Sequence, residues 1–257
     1  MDLHPVYGPS LPEAGWVPAP SYLLRRRRIL ALLEDQKPGR YLEVGCGAGA
    51  LLYDLQARGF ECHALETSPD ALALAHRLHA EHPQVQISDR EQPDWPRAFD
   101  YLAAFEVLEH IKDDCAALEK WKGWLKPGGK LLLSVPAHKR KWNASDVWAG
   151  HYRRYERGQL LELLQHTGFE ILHQESYGFP LANLIEPIRA RHHGRQLAAR
   201  SSDGGKQARS HQSGINRSLE ARLYPLQSSW FGVLAMRCAF GLQRLSLRSD
   251  LGTGYLV

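Results

Sequence analysis

Residues 41–55 read YLEVGCGAGALLYDL. A strand-like run, Tyr41-Leu42-Glu43-Val44, meets three glycines, Gly45, Gly47 and Gly49, and passes directly into a helix-like run. Glycine takes left-handed backbone conformations without steric cost and lets another molecule lie against the main chain. A strand, a glycine turn and a helix in that order leave backbone N–H groups free at a helix N-terminus, a ready site for a ligand.

Outward from this turn the same alternation continues. RYLEVG reads as a strand and ALLYDLQARG as a helix stopped by Gly59. FECHALE is a second strand, and TSPDALALAHRLHA a helix with Ser68 as N-cap and Pro69 in its first turn. VQIS and FDYLAAFEV are a third and a fourth strand. DDCAALEKWKGWL is a helix ended by Lys126-Pro127-Gly128-Gly129, and KLLLSVP a fifth strand. ERGQLLELLQHTG is a helix closed by Gly168, FEILHQESY (169–177) a sixth strand, and LGTGYLV a seventh. Apolar strands alternating with helices predict a doubly wound α/β fold whose parallel sheet is covered on both faces. Ligands of such sheets sit at the carboxyl ends of the strands, near the switch point.

Size and composition narrow the function. The chain has 257 residues, enough for a single domain over 1–257. Its four cysteines, Cys46, Cys62, Cys115 and Cys238, show neither close pairing nor metal-type spacing, which suits a reducing, cytoplasmic setting. The first residues carry no signal-peptide pattern, and no run reaches the roughly 18 apolar residues of a membrane span. The net charge is +4, yet residues 189–217 hold seven Arg and Lys against Asp203 alone. That segment is therefore +6 and the remainder −2, which argues against a nucleic-acid binder and predicts a mobile basic loop over 189–217.

The glycine turn fits two templates. As G-x-G-x-x-A it is a dinucleotide fingerprint. As E-x-G-x-G-x-G it resembles motif I of class I S-adenosylmethionine-dependent methyltransferases. Glu43 favours the second reading, because a carboxylate beside the turn repels a pyrophosphate and attracts a ligand bearing an ammonium and a sulfonium. The resemblance extends through ALETSPDALALA, FDYLAAFEVLEHIKDD, LKPGGKLLLSVP and GFEILHQESYG, so it covers about residues 20–180 in the expected order. It implies a Rossmann-like sheet of seven strands, the last antiparallel. In cofactor-binding roles it implies Glu43 and Gly45, Gly47 and Gly49 at the methionine end, Glu66 on the ribose, Asp89 near the adenine, and Phe105 with Glu106 lining the cofactor. The helix SYLLRRRRILALL would cover the cofactor, with Tyr22 or Arg25 near its carboxylate and at least two of Arg25 to Arg28 solvated. An NAD(P)-dependent oxidoreductase and a catalytically silent cofactor-binding regulatory subunit are the alternatives.

Two stretches offer the chemistry of transfer. Glu106, Glu109 and His110 stand at i, i+3 and i+4. This E-x-x-E-H pattern resembles a Mg²⁺-binding arrangement in ubiquinone-pathway O-methyltransferases; in metal-free relatives the acids cap a helix and His110 packs near the cofactor. The second stretch, residues 136–160, follows the fifth strand and overhangs the expected methyl position. Within it His151 is the candidate general base, alongside His110. His138, Tyr152, Arg153 and Arg154 are candidate substrate contacts, the arginines as an anion clamp. His76, His79 and His82, three apart, read as a solvated helix face.

Residues 178–250 intervene before the last strand, and within them 219–248 reads as a helical insertion. SSWFGVLAMRCAFGLQRLSLRS is apolar almost all round, with Arg237, Arg244 and Arg248 in one stripe. Such a helix suits a lid, a homodimer element or a peripheral membrane contact, the last matching a lipid-linked rather than a free small-molecule acceptor.

Overall fold

The computed structural model describes residues 1–199, 210 and 217–257. It opens with a hairpin, β1 (Asp2–His4) and β2 (Gly8–Ser10), which no sequence pattern announced. Then comes α1 (Pro20–Leu32), the helix expected to cover the cofactor.

The main sheet is built from β3 (Arg40–Val44), β4 (Glu61–Leu65), β5 (Gln86–Ser88), β6 (Phe99–Phe105), β7 (Leu125–Pro136), β8 (Glu175–Tyr177) and β9 (Gly254–Leu256). Their spatial order is β5-β4-β3-β6-β7-β9-β8. β3 to β7 pair in parallel, and β9 runs antiparallel between β7 and β8. The expected seven strands and reversed last strand are therefore present. The chain leaves β3 for β4 on one side and returns to β6 on the other, so the switch point lies at the end of β3, beside the glycine turn.

Alternation along β3 explains both layers. Leu42 and Val44 face a core with Trp121 and Trp124 of α4 (Asp114–Trp124) and Leu160 and Leu164 of α6 (Arg157–His166). Tyr41 faces the opposite core, with Ile29 and Leu30 of α1 and Leu51, Leu52 and Leu55 of α2 (Ala50–Gln56). Glu43, two residues from Tyr41, shares that second face. The strand period thus directs its carboxyl toward α1 rather than into the α4–α6 layer.

Several expectations need correction. The sixth strand is three residues long, not nine, because Leu172 is exposed and pairing starts only at Glu175. Lys126-Pro127-Gly128-Gly129 does not stand between helix and strand: β7 already begins at Leu125, with a register irregularity opposite Phe99 and Tyr101. Residues 189–199, expected in a mobile loop, belong to α7 (Leu181–Ala199). The rest of that expected loop, apart from Ser210 and Arg217, falls outside the described residues.

The insertion continues with α8 (Ser218–Gln227) and α9 (Trp230–Ser246). α9 buries Met236, Ala239, Gln243 and Ser246, a helical spacing, and packs against α1. Gln243 stitches the contact by donating to the Leu24 carbonyl at 3.1 Å and accepting from the Gly178 N–H at 2.8 Å. The opposite face leaves Phe231, Leu234, Leu242 and Leu245 exposed. Among the described residues no helix is long and apolar enough to cross a membrane.

Candidate active site

A cavity of about 370 Å³ opens at the carboxyl ends of β3, β4 and β6. Its floor is the glycine turn. Gly45, Gly47 and Gly49 all have positive φ, 70°, 56° and 72°. At Gly45 a side chain is barred twice: by that φ, and because a Cβ there would fall 2.6 Å from Val107 Cγ2. Gly47 has nothing within 4 Å of a Cβ position, so its open side belongs to the cavity. Gly49 is the N-cap of α2, and its carbonyl lies 2.9 Å from His79 Nε2. His79 is thus buried under the turn, not on the solvated helix face expected of His76, His79 and His82.

Glu66, just past β4, closes the turn from the side. Its Oε2 accepts from the Gly47 N–H and its Oε1 from the Ser68 N–H, both at 2.8 Å. Ser68 caps α3 (Pro69–Leu78), with Pro69 in the first turn as expected. Glu43 is buried and its Oε2 has no partner. Burial pushes its carboxyl up to about 8, with the Arg25 guanidinium pulling down and Glu66 pushing up. A buried acceptor without a donor, facing a cavity, fits a cationic ligand.

At the end of β6, Phe105 and Glu106 line the cavity. Glu106 has a φ of 59°, and its Oε1 accepts from Ser134 Oγ at 3.0 Å and the Tyr177 hydroxyl at 2.8 Å, with Arg25 Nη1 3.8 Å away. Those partners turn Glu106 away from Glu109 and His110, contrary to the shared helical face expected. The stretch is a 3-10 turn over Leu108–His110, not the start of an α-helix.

Glu109 and His110 instead meet His151, delivered from the other side by the segment after α5 (Ala144–Ala149). One ligand atom of each of the three lies within 4.8 Å of the others. Glu109 is fully buried, neither carboxylate oxygen has a hydrogen-bond partner, and Oε1 lies 3.9 Å from His151 Nε2; burial together with Glu106 drives it well above the usual carboxylate range. Burial, with His151 adding, lowers His110 to about 3, so its ring is neutral. The two imidazoles sit edge to face at 4.6 Å. His151 is held by its other nitrogen, with Nδ1 2.9 Å from Asp146 Oδ1. Arg154 donates to the same Oδ1 at 2.8 Å and to Glu186 at 2.6 Å. Burial alone would raise Asp146, yet hydrogen bonds from His151 and Arg154 outweigh it and keep the carboxylate below its ordinary range.

The remaining expected contacts lie elsewhere. Asp89 is exposed beside Arg90 and is not part of the cavity wall. His138 is buried against Tyr255, Tyr152 is exposed, and Arg153 pairs with Asp114. Only Arg27 of the four consecutive arginines is solvated: Arg25 lines the cavity, Arg26 pairs with Asp54 and Arg28 with Glu175. Sequence reasoning missed Glu186 and His193, which also line the wall, and it placed Trp148 only within the 136–160 stretch and Arg189 and Arg217 only within the basic loop. The spacing of 186, 189 and 193 was a helical signal, hidden by the basic, polar composition around it.

The family model described as a methyltransferase domain matches residues 19–174. The chain belongs to that methyltransferase family. The match begins just before α1 and ends just before β8, so it contains the glycine turn, Glu66 and the Glu109–His110–His151 cluster. Relatives of this methyltransferase domain include the ubiquinone biosynthesis O-methyltransferase of Xanthomonas euvesicatoria, 37% identical over 102 residues, covering 37% of this chain and 42% of that one. The protein of the same name from Xylella fastidiosa is 36% identical over 102 residues, covering 37% and 41%. The match thus spans about two fifths of the length of these relatives. Among solved structures, the phosphoethanolamine N-methyltransferase 2 of Haemonchus contortus, in complex with S-adenosyl-L-methionine, superposes with a TM-score of 0.55 at 23% identity, covering 90% of this chain and 51% of that one. A solved [4+2]-cyclase, SpnF, gives 0.52 at 23% identity, covering 90% and 78%. The spread of activities in those names illustrates that such likeness speaks for the fold alone.

Proposed function

We propose that this methyltransferase carries a methyl group from S-adenosylmethionine to a hydroxyl of a small or lipid-linked metabolite. The observation that carries the reading is the pairing, in one cavity, of a carboxylate-rimmed glycine turn with the Glu109–His110–His151 cluster. The O-methyltransferase names of the curated relatives support a hydroxyl acceptor.

The donor supplies an electrophilic methyl carbon on a sulfonium, open to in-line displacement. The chain's own groups bind and orient. Glu43, unpartnered and buried, receives the ammonium of the methionine end. Glu66, its carboxylate fixed by the Gly47 and Ser68 N–H groups, faces the ribose hydroxyls. The neutral walls of Phe105 and Ala71 exclude water from the nucleoside. Holding acceptor and methyl in line is the main task of such an enzyme.

The cluster deals with the acceptor proton. Glu109, His110 and His151 are the residues that would hold a divalent cation such as Mg²⁺, and a cation there would lower the pKa of a hydroxyl bound to it. Two features of the donor set fit: the buried Glu109 carboxylate oxygens have no hydrogen bond, with His151 Nε2 3.9 Å from Oε1, and Asp146 orients His151 through its other nitrogen, as an outer partner of a metal ligand does. A second reading rests on that same Asp146–His151 pair, in which His151 Nε2 alone takes the proton.

Turnover of tritiated S-adenosylmethionine on catechol-type acceptors, before and after chelation, tests this. The expected result is transfer that chelator removes and Mg²⁺ or Mn²⁺ restores. Transfer indifferent to chelator but lost in His151→Ala supports the base alone. Failure of the protein to bind S-adenosylmethionine or S-adenosylhomocysteine in calorimetry, with binding of NAD instead, overturns the whole reading.

A further inference from the structure

α7 turns one face onto the cavity, through Ala182, Ile185, Glu186, Arg189 and His193. Glu186 is satisfied by Arg154 at 2.6 Å. Among the described residues Arg189 has one acid partner, Glu220 at 3.9 Å. Arg217, at the start of α8, lines the same cavity. Its Nε is buried without a hydrogen-bond partner, and none of the ion pairs among the described residues includes it. Among the described residues, Glu220 is therefore the one carboxylate paired with either guanidinium, and it reaches only Arg189. Burial lowers Arg217 to about 10, with Glu220 opposing and Arg189 and Arg25 adding, as expected of a cation short of compensation. Beside them the His193 ring stacks on Trp148 at 4.1 Å and 2°, and its Nδ1 lies 3.0 Å from Ser145 Oγ.

An under-compensated buried cation costs free energy that a bound anion returns. The planar fork of arginine matches the oxygens of carboxylate and phosphate alike. Arg153 and Arg154, the pair expected to clamp an anion, are already committed to Asp114 and to Asp146 with Glu186. We propose that Arg189 and Arg217 form an oxyanion subsite for the methyl acceptor, so that the substrate class is a hydroxylated compound bearing a carboxylate or a phosphate. This rests on the methyltransferase reading for the word acceptor; the anion site itself does not. The subsite is built from the insertion between β8 and β9, largely beyond the part matched by the family model. Acceptor choice is thereby separated from donor binding along the chain.

The test titrates full-length protein, ligand-free and loaded with S-adenosylhomocysteine, with inorganic phosphate and with benzoate at constant ionic strength, chloride being the reference. Thermal unfolding is the readout. The expected result is a saturable rise in Tm with phosphate or benzoate, whichever is tighter identifying the anion, and at least tenfold weaker binding in Arg217→Met and Arg189→Met. Arg217→Lys keeps the charge and recovers part of the binding, while Arg237→Met, on the exposed face of α9, leaves it unchanged. Affinity for S-adenosylhomocysteine stays within twofold throughout. The proposal is overturned if wild type and the two Met variants respond alike, if no saturable response occurs, or if Arg217→Met lowers S-adenosylhomocysteine affinity tenfold, which gives the arginine to the donor's carboxylate. A wild type that ignores S-adenosylhomocysteine sinks the methyltransferase reading, and the ligand-free anion titration still decides the site.

Discussion

The Gly47 N–H donates to Glu66 Oε2 at 2.8 Å, so the glycine turn after β3 and the end of β4 are one unit. Glu66 also accepts from the Ser68 N–H and thereby fixes the start of α3. The residue that the family resemblance assigns to the ribose is thus also a strut of the cavity.

Glu66→Ala should therefore lose on two counts. Removing a buried acceptor from two N–H groups costs about 1–3 kcal/mol of stability, and binding of S-adenosylmethionine weakens by a similar factor from unpaired hydroxyls. Urea unfolding and calorimetry on the same variant measure both. Unchanged affinity with reduced stability would leave Glu66 as a strut only.

Glu43→Gln should separate stability from binding. The folded carboxyl titrates near 8, above its unfolded value. Below the unfolded pKa both states are protonated and the neutral group is tolerated. Between that pKa and about 8 only the unfolded state gives up its proton, so stability falls as pH rises across that window and levels off above it. Gln stays neutral, so the ligand-free variant should unfold at higher temperature than wild type at pH 8 and at the same temperature near pH 4. A cationic ligand favours the ionised carboxylate, so wild type should release a proton on binding S-adenosylhomocysteine at pH 7, and the variant should bind about tenfold more weakly without that release. Calorimetry in buffers of different ionisation enthalpy reads the proton.

Arg154→Ala should be among the most damaging substitutions outside the apolar core. It leaves Asp146 and Glu186 facing each other without their shared cation. Breaking a buried pair in this way costs about 3–5 kcal/mol. Chemical denaturation gives the magnitude. In Arg154→Lys, which keeps charge but not the fork, transfer activity should fall by more than stability does, because His151 loses its fixed partner geometry.

Gly45→Ala should disable the turn without touching any charge. The left-handed φ of 70° and the Val107 contact oppose a methyl group together. Backbone strain of this kind costs about 1–3 kcal/mol. Gly45→Ala/Val107→Ala relieves the contact and should recover part of the loss in Tm; recovery of the whole would show that crowding, rather than φ, sets the requirement.

Local chemistry wrote much of this protein in its sequence. Glycines at 45, 47 and 49 permit a left-handed turn after the strand, Ser68-Pro69 starts a helix by its own hydrogen bonding, and apolar residues on both faces of β3 mark a strand covered on both sides. These are interactions over a few residues, so the strand–helix alternation and the ligand turn could be read in advance, while the reversed last strand was legible only through the family resemblance. What a carboxylate or an imidazole does depends on partners far along the chain. Glu106 was grouped with Glu109 and His110 by spacing, yet Tyr177, 71 residues away, draws it off, and His151 takes its place in the cluster. Arg153 and Arg154 had the composition of an anion clamp, but acids from α4, α5 and α7 neutralise them, while Arg189, with Glu220 3.9 Å away, and Arg217, outside every ion pair of the described residues, line the cavity. Charge is a property of residue type; whether that charge is spent on a neighbour or left for a ligand is fixed only when tertiary packing brings the neighbours in.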